Sequence, residues 1–240
     1  MVDIQKALNT PLDLSEIIQY RLNEDQYIPE DIKPVQIFIH HTAGNSNPFR
    51  VVDFWNSNPE RVGTPFVIGG EPTKDKHGVE QWHDGAIIQA FSSKKWGYHL
   101  GLQQSTFTKY GIKYSSLDKA SVGIEINNWG GLQLKDGKYF TYVGTVVDAD
   151  EVIEYPKAFR GFKFFHKYTD KQIENTVRLL KYLCEKYGIS KAYNEDMWDM
   201  SSNALKGANG IWTHVAVRSD KSDCHPQPEL IEALKALAKS

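Results

Sequence analysis

Four short stretches concentrate the residue types that do chemistry. His40-His41-Thr42 directly follows the apolar run VQIFI (35–39). A side chain at the carboxyl end of a buried strand is held rigidly and faces the crevice where α/β proteins bind ligands. Adjacent strand residues point to opposite faces, so only one histidine of the pair is expected to reach a given site. The stretch His214-Val-Ala-Val-Arg218-Ser-Asp220-Lys221-Ser-Asp223-Cys224-His225-Pro226 gathers imidazole, carboxylate and thiol ligands of the zinc type around a lysine. By itself it reads equally as a solvated charged loop. Glu125 lies in SVGIEINN (121–128) among Val122, Ile124 and Ile126. A carboxylate there either faces water or lines a site that raises its pKa, as a general base near neutral pH requires. Trp96-Gly-Tyr98-His99-Leu-Gly101 is an aromatic–histidine cluster whose plainer role is packing.

The elements around these stretches must position them. VQIFI predicts a buried strand, and TPFVIG (64–69) and SVGIEINN predict two more. FRVVDFWNS (49–57) has helical spacing. Asp84-Gly85, with β-formers on both sides, predicts a hairpin over 79–91. Thr169-x-x-Gln172 fits a capping box; Ile173, Val177, Leu180, Cys184 and Tyr187 then recur at helical spacing, and Gly188 closes the helix. Cys184 therefore reads as a core filler rather than a nucleophile. PELIEALKALAK (228–239) predicts a second amphipathic helix with Pro228 near its first turn. Residues 1–34 read as a helical lead-in packed on the domain, with Ser15 capping IIQYRL. Residues 35–240 read as one domain, with an insertion at about 129–168 that looks like a hairpin or long loop. Strands interleaved with helices argue for an α/β fold with a single mixed sheet.

Composition narrows the function classes. In 240 residues, 40% are hydrophobic, 24% charged and 12% aromatic, too many aromatics for a disordered chain. A net charge of −2 gives no bulk electrostatic case for nucleic acid or an anionic membrane. Apolar runs of only a few residues exclude a transmembrane helix. The first 26 residues have neither a basic n-region nor an apolar h-region, so the expectation is a cytoplasmic protein, or one released by a route other than a cleaved signal peptide. Two cysteines make no disulfide framework, and a monomer is expected.

Taken in order, IFIHHTAG, WGYHLG, SVGIEINN and H214…DKSDCHP resemble the zinc-dependent N-acetylmuramoyl-L-alanine amidases of the second type. That superfamily includes amidase-type phage lysozymes, cell-wall recycling amidases and animal peptidoglycan recognition proteins. The resemblance runs from about Val35 to Leu230. It implies a mixed sheet flanked by helices, one catalytic Zn2+, and hydrolysis of the amide joining N-acetylmuramic acid to L-alanine of the stem peptide in peptidoglycan or a muropeptide. Under it, His40 and His214 correspond to zinc ligands, Glu125 to the general base and Lys221 to the cation that stabilises the oxyanion. His99 corresponds to a histidine near the substrate.

Three departures stand out. Where the family shows Lys-x-Asp-Pro or Lys-x-Cys-Pro, this chain has Lys221-Ser-Asp223-Cys224-His225-Pro226. Spacing from the lysine selects Asp223 as third ligand, softness favours Cys224, and adjacency to proline favours His225; Asp223 is the choice here. Thr64 stands where several lysozyme-type members carry a catalytic tyrosine, which shifts more of the base role to Glu125. The 129–168 stretch exceeds a minimal family domain and is expected to shape specificity. A non-catalytic peptidoglycan-binding module is the alternative reading, which the retained donors, Glu125 and Lys221 disfavour. A cysteine hydrolase built on Cys224 is weaker still, because adjacent Cys224 and His225 do not easily form a nucleophile–base hydrogen bond.

Overall fold

The apolar run ahead of the histidine pair forms strand β2 (Gln36–His41), buried along its whole length. In the computed structural model, which describes residues 2–74 and 77–240, the other strands are β1 (Ile18–Gln19), β3 (Phe66–Ile68), β4 (Ile87–Gln89), β5 (Ser121–Ile126), β6 (Gly131–Lys135), β7 (Lys138–Phe140), β8 (Val146–Val147), β9 (Val152–Phe159), β10 (Phe162–His166) and β11 (Gly210–Thr213). The helices are α1 (Ile4–Asn9), α2 (Pro48–Ser57), α3 (Gln104–Lys109), α4 (Asp170–Tyr187), α5 (Ser202–Leu205) and α6 (Pro228–Leu237). A six-stranded mixed sheet of order β1-β4-β3-β5-β2-β11 forms the centre. β11, β2, β5 and β3 run parallel; β4 is antiparallel to β3, and β1 is parallel to β4. Parallel strands covered on both faces need apolar side chains on both, which is why β2 and β5 read as nearly continuous hydrophobic runs.

Register decides what shares a face. His40 lies level with Glu125, and Glu125 with Val67. Level partners of parallel strands project to the same side, so these three share one face. α2 covers that face: Val52 and Trp55 pack with Val67 and Ile88. Ile68 points the other way, into the larger core formed with Ile173, Val177 and Leu180 of α4 and Leu230 and Leu234 of α6. Each such buried aliphatic side chain stabilises the fold by about 1.5–3 kcal/mol. α4 starts at the expected capping box of Thr169 and Gln172 and ends at Gly188 in the left-handed conformation (φ +67°). Cys184 is buried in the same core, where burial pushes its thiol up to about 12. Among the described residues, no helix is long and apolar enough to cross a membrane.

Three expectations change. The lead-in holds only the short helix α1, capped by Asp3, with Ala7 and Leu8 buried in the larger core. IIQYRL is extended, because Asp13 takes the cap of a single 3-10 turn that contains Ser15, and β-branched Ile18 then joins the sheet edge beside β4. Tyr20 and Leu22 continue that edge by donating to the carbonyls of Gln89 and Ala90. Arg178 of α4 fastens the segment through Glu16 at 2.8 and 2.9 Å and the carbonyls of Thr10 and Pro11.

The hairpin expected over 79–91 has a different first arm. β4 pairs with β3, where apolar Val67 and Ile68 are available, and residues 79–83 lie in the connection between the two strands. Gly85 does take positive φ (+77°), and a Cβ there would meet the Lys171 carbonyl oxygen at 2.6 Å.

The 129–168 stretch is neither a single hairpin nor a loop. It folds into its own antiparallel sheet of order β8-β7-β6-β10-β9. Asp136-Gly137 and Arg160-Gly161 supply pairs of positive-φ residues at its two tight turns. Buried Phe165 attaches the sheet to the body by stacking on His225, and Tyr142 stands exposed at its tip.

Candidate functional site

His40 ends β2, and His214 follows β11, the strand hydrogen-bonded beside it, so both imidazoles emerge at one edge of the sheet. The 218–227 segment returns beneath them and brings in Asp223. His40 Nδ1 and His214 Nδ1 are 3.1 Å apart, and Asp223 Oδ2 is 3.1 Å from the first and 2.9 Å from the second. Both histidines are buried, while 13% of the Asp223 side chain stays exposed and leaves an approach from one side.

The remaining ring nitrogens set the tautomers. His214 Nε2 lies 3.0 Å from the Leu100 carbonyl and so donates to it, leaving Nδ1 as the lone pair facing the cluster. His40 Nε2 meets His99 Nδ1 at 2.9 Å, His99 Nε2 meets Ser121 Oγ at 3.1 Å, and that hydroxyl donates to the Leu117 carbonyl at 2.7 Å. Read as donors in series, this chain turns the His40 Nδ1 lone pair toward Asp223. Asp118 Oδ1 accepts from the backbone N–H groups of His99 and Leu100, and Arg218 donates to the carbonyls of Leu100 and Gly101 while pairing with Asp220. His99 was expected near the substrate. Instead it sits behind His40 with both ring nitrogens engaged by protein atoms.

This donor set fits a metal ion. Two imidazole nitrogens and one carboxylate oxygen, all within 4.8 Å of one another, form the one such group among the described residues. Ligands 2.0–2.1 Å from a tetrahedral zinc lie roughly 3.3 Å apart, close to the spacing here. Without an ion, burial lowers His40 to about 3, with the nearby imidazoles adding to the effect and Asp223 opposing it. Burial also pushes the Asp223 carboxyl up, but the charges and hydrogen bonds of His214 and His40 outweigh it and hold the group well below its ordinary range. Two imidazole nitrogens and one carboxylate oxygen therefore face one point.

Cys224 and His225 turn away from that point. The Cys224 thiol lies 2.8 Å from the Tyr168 hydroxyl, and burial first, then Asp223, pushes its pKa up. His225 stacks between Phe165 and Tyr168, with Nδ1 at 2.8 Å from Tyr155 Oη and Nε2 at 3.0 Å from the His166 carbonyl. His41 points to this same side and meets Tyr168 Oη at 2.9 Å. Sequence reading missed Tyr168, which lies 127 residues from His41 in the chain and carries no local signal.

Glu125 is half-buried on the His40 face, and its Oε2 has no hydrogen-bond partner. Burial raises its pKa well above the ordinary value, Asp223 raises it further, and the Lys221 ammonium partly offsets both. Glu125 also lines a pocket of about 250 Å³ bounded by the 42–45 loop, α2 and Tyr142.

A family model described as N-acetylmuramoyl-L-alanine amidase matches residues 30–228. The chain belongs to that family. Among curated proteins nothing matches this amidase. Its fold is similar to three solved structures. "Structure of PlyL" has 14% identity and TM-score 0.50, covering 91% of this chain and 96% of that one. "Mutant endolysin from Bacillus subtilis" has 18% identity and TM-score 0.50, covering 92% and 97%. Staphylococcus aureus hydrolase AmiA in complex with its ligand has 11% identity and TM-score 0.50, covering 99% and 91%. At these identities the likeness concerns the fold.

Within the amidase, Thr64 is fully buried, its hydroxyl donates to the Phe66 carbonyl, and a Cβ on Gly123 would meet its methyl at 2.5 Å. It therefore fills space over β5 and presents no acid or base. Trp55 and Trp82 are each only 5% exposed, which leaves neither ring face open; the Trp82 indole N–H donates to the Gly70 carbonyl. The exposed aromatic groups beside Glu125 are Phe54 and Tyr142.

Proposed function

We propose that the chain hydrolyses the amide between N-acetylmuramic acid and L-alanine of the stem peptide with the aid of one Zn2+ held by His40 Nδ1, His214 Nδ1 and Asp223. The single observation that carries this reading is the convergence of those three donors beside an unpaired carboxyl, Glu125, on the same face of the sheet. When bound, zinc supplies Lewis acidity and brings the pKa of a coordinated water to about 7.

The chain's own residues do the rest. Glu125, held high by burial, accepts the proton of the attacking water and returns it to the departing amine of L-alanine. Lys221 neutralises charge as it develops on the scissile carbonyl oxygen; one such preorganised donor is worth about 10²–10³ in rate. His99 fixes the tautomer and ring plane of His40, and the Leu100 carbonyl does the same for His214. Asp223, rather than Cys224 or His225, is the third ligand in this reading, because it is the one member of that run whose donor atom faces both histidines.

The test pairs metal content with activity. Elemental mass spectrometry should find about one zinc per chain, with muropeptide cleavage lost on chelation and recovered on adding zinc. A protein that binds muropeptide but holds no zinc and cuts nothing would make the same groove a recognition site.

A further inference from the structure

The pocket beside Glu125 contains a cation that the proposed chemistry leaves unused. Arg50, in the first turn of α2, lines this pocket together with Glu125. Its guanidinium has no hydrogen-bond or ion-pair partner among the described residues, whereas Arg160, Arg178 and Arg218 each pair with a carboxylate. Phe54 of α2 and Tyr142 at the tip of the second sheet flank it, 61% and 70% exposed. Two large aromatic side chains left open around one small pocket mark a surface that a ligand covers. A free guanidinium between them selects a planar anion, because its fork matches a carboxylate in bidentate fashion.

We propose that Arg50 is a specificity residue that binds a free carboxylate on the peptide side of the scissile amide, in a pocket walled by Phe54 and by Tyr142 of the insertion. This rests on the amidase reading above for the position of the scissile bond. The chemistry of a muramoyl peptide gives the inference direction. Near the bond, the glycan side offers hydroxyl and acetamide groups, all neutral. On the peptide side, the residue after L-alanine is a glutamate joined through its γ-carboxyl, so its α-carboxylate stands free unless amidated. That group lies within two residues of the scissile nitrogen, a reach of roughly 7 Å, which suits a pocket that begins at Glu125. The groove therefore has a polarity, with the peptide toward α2 and the second sheet and the glycan on the far side of Glu125. The insertion acts as a specificity element through Tyr142.

The experiment compares two isosteric substrates, N-acetylmuramoyl-L-alanyl-D-isoglutamate and its D-isoglutamine counterpart, with the zinc-loaded protein. The wild type should favour the carboxylate form about tenfold in kcat/KM, mainly through KM, as expected for a hydrogen-bonded charge pair. Arg50→Gln should abolish that preference, bringing kcat/KM for the carboxylate form down to that of the amidated form; Arg50→Lys should retain part of the preference. The same pair of ligands is titrated calorimetrically against Glu125→Gln and Glu125→Gln/Arg50→Gln proteins, in which cleavage does not intervene. A tenfold binding preference that disappears with Arg50 upholds the inference even if the wild type cuts neither substrate, an outcome that would sink the amidase reading alone. Equal binding of the two ligands, or a preference that survives Arg50→Gln, overturns the role of Arg50.

Discussion

One hydroxyl ties together the backbones that carry two of the three proposed zinc ligands. Tyr168 Oη contacts His41 Nδ1 at 2.9 Å and Cys224 Sγ at 2.8 Å, and it accepts from the His225 N–H at 3.1 Å. His41 follows His40 on β2, while Cys224 and His225 follow Asp223. Tyr168→Phe removes all three contacts and keeps the ring, which still stacks on His225. It leaves the His225 N–H and His41 Nδ1 buried without this partner, at about 1–3 kcal/mol each; the thiol, a weak partner, adds less. The expected loss is about 2–6 kcal/mol, a large share of the 5–15 kcal/mol typical of a folded domain. With urea slopes of 1–3 kcal/mol per molar, the denaturation midpoint should fall by about 1 M or more. Because the loop bearing Asp223 loosens relative to β2, zinc affinity should also fall about 10–100-fold, as when other supports of metal ligands are removed. The assays are urea denaturation of the metal-free protein and competition with a chromophoric zinc chelator. Tyr155→Phe is the control: among the described residues its hydroxyl hydrogen-bonds only to His225 Nδ1, so stability should drop while zinc affinity holds. Unchanged midpoint and zinc affinity in Tyr168→Phe, or equal loss of zinc affinity in both variants, would refute the reasoning.

Other consequences follow from the buried titratable groups. Glu125→Gln should lower kcat about 10²–10⁴-fold with zinc content intact; a variant retaining a tenth of the activity would remove Glu125 from the base role. Because the base must be ionised, kcat/KM should rise with pH through the raised Glu125 pKa. Lys221→Met removes the charge that lowers that pKa, so the acid limb should move to higher pH; a shift to lower pH would contradict the assignment. Metal-free stability should fall in mild acid. His41 and His166 are lowered to about 4, in both cases chiefly by burial. The unfolded chain, with ordinary histidines near 6.5, therefore takes up protons first. The stabilisation is present above about pH 6.5 and is lost as pH falls toward 4, by about 2 kcal/mol per histidine between pH 7 and 5. Denaturation midpoints that stay flat over that range would show these histidines are not held neutral in the fold.

Much of this protein was legible locally. VQIFI followed by two histidines describes a buried strand ending in ligand-type side chains, and alternation alone sends His40 and His41 to opposite faces. Thr169, Gln172 and Gly188 bracket α4 because capping involves neighbours three or four residues apart. The order of the four motifs is enough to reveal the family, and Asp136-Gly137 marks a turn whatever lies around it.

Partnerships between distant segments were not legible. The apolar arm that β4 needs could come from residues 79–83 or from β3, and only the packing under α2 selects β3. IIQYRL satisfies helical spacing, yet the open edge of β4 captures Ile18. The aromatic residues of 129–168 have no local sign of a shared sheet until β6 and β10 are seen paired, Leu132 level with Phe164. At the site itself, composition supplied three adjacent donors, Asp223, Cys224 and His225, with no means of choosing between them. The tertiary structure chooses: Asp223 turns to His40 and His214, while Cys224 and His225 are drawn into the aromatic cluster around Tyr168. Long-range packing likewise sets His99 behind His40, and only the assembled fold brings Arg50 and Tyr142, 92 residues apart in the chain, to one pocket. Sequence thus determined which chemical groups are present and which local turns they follow; long-range packing decided which of them meet.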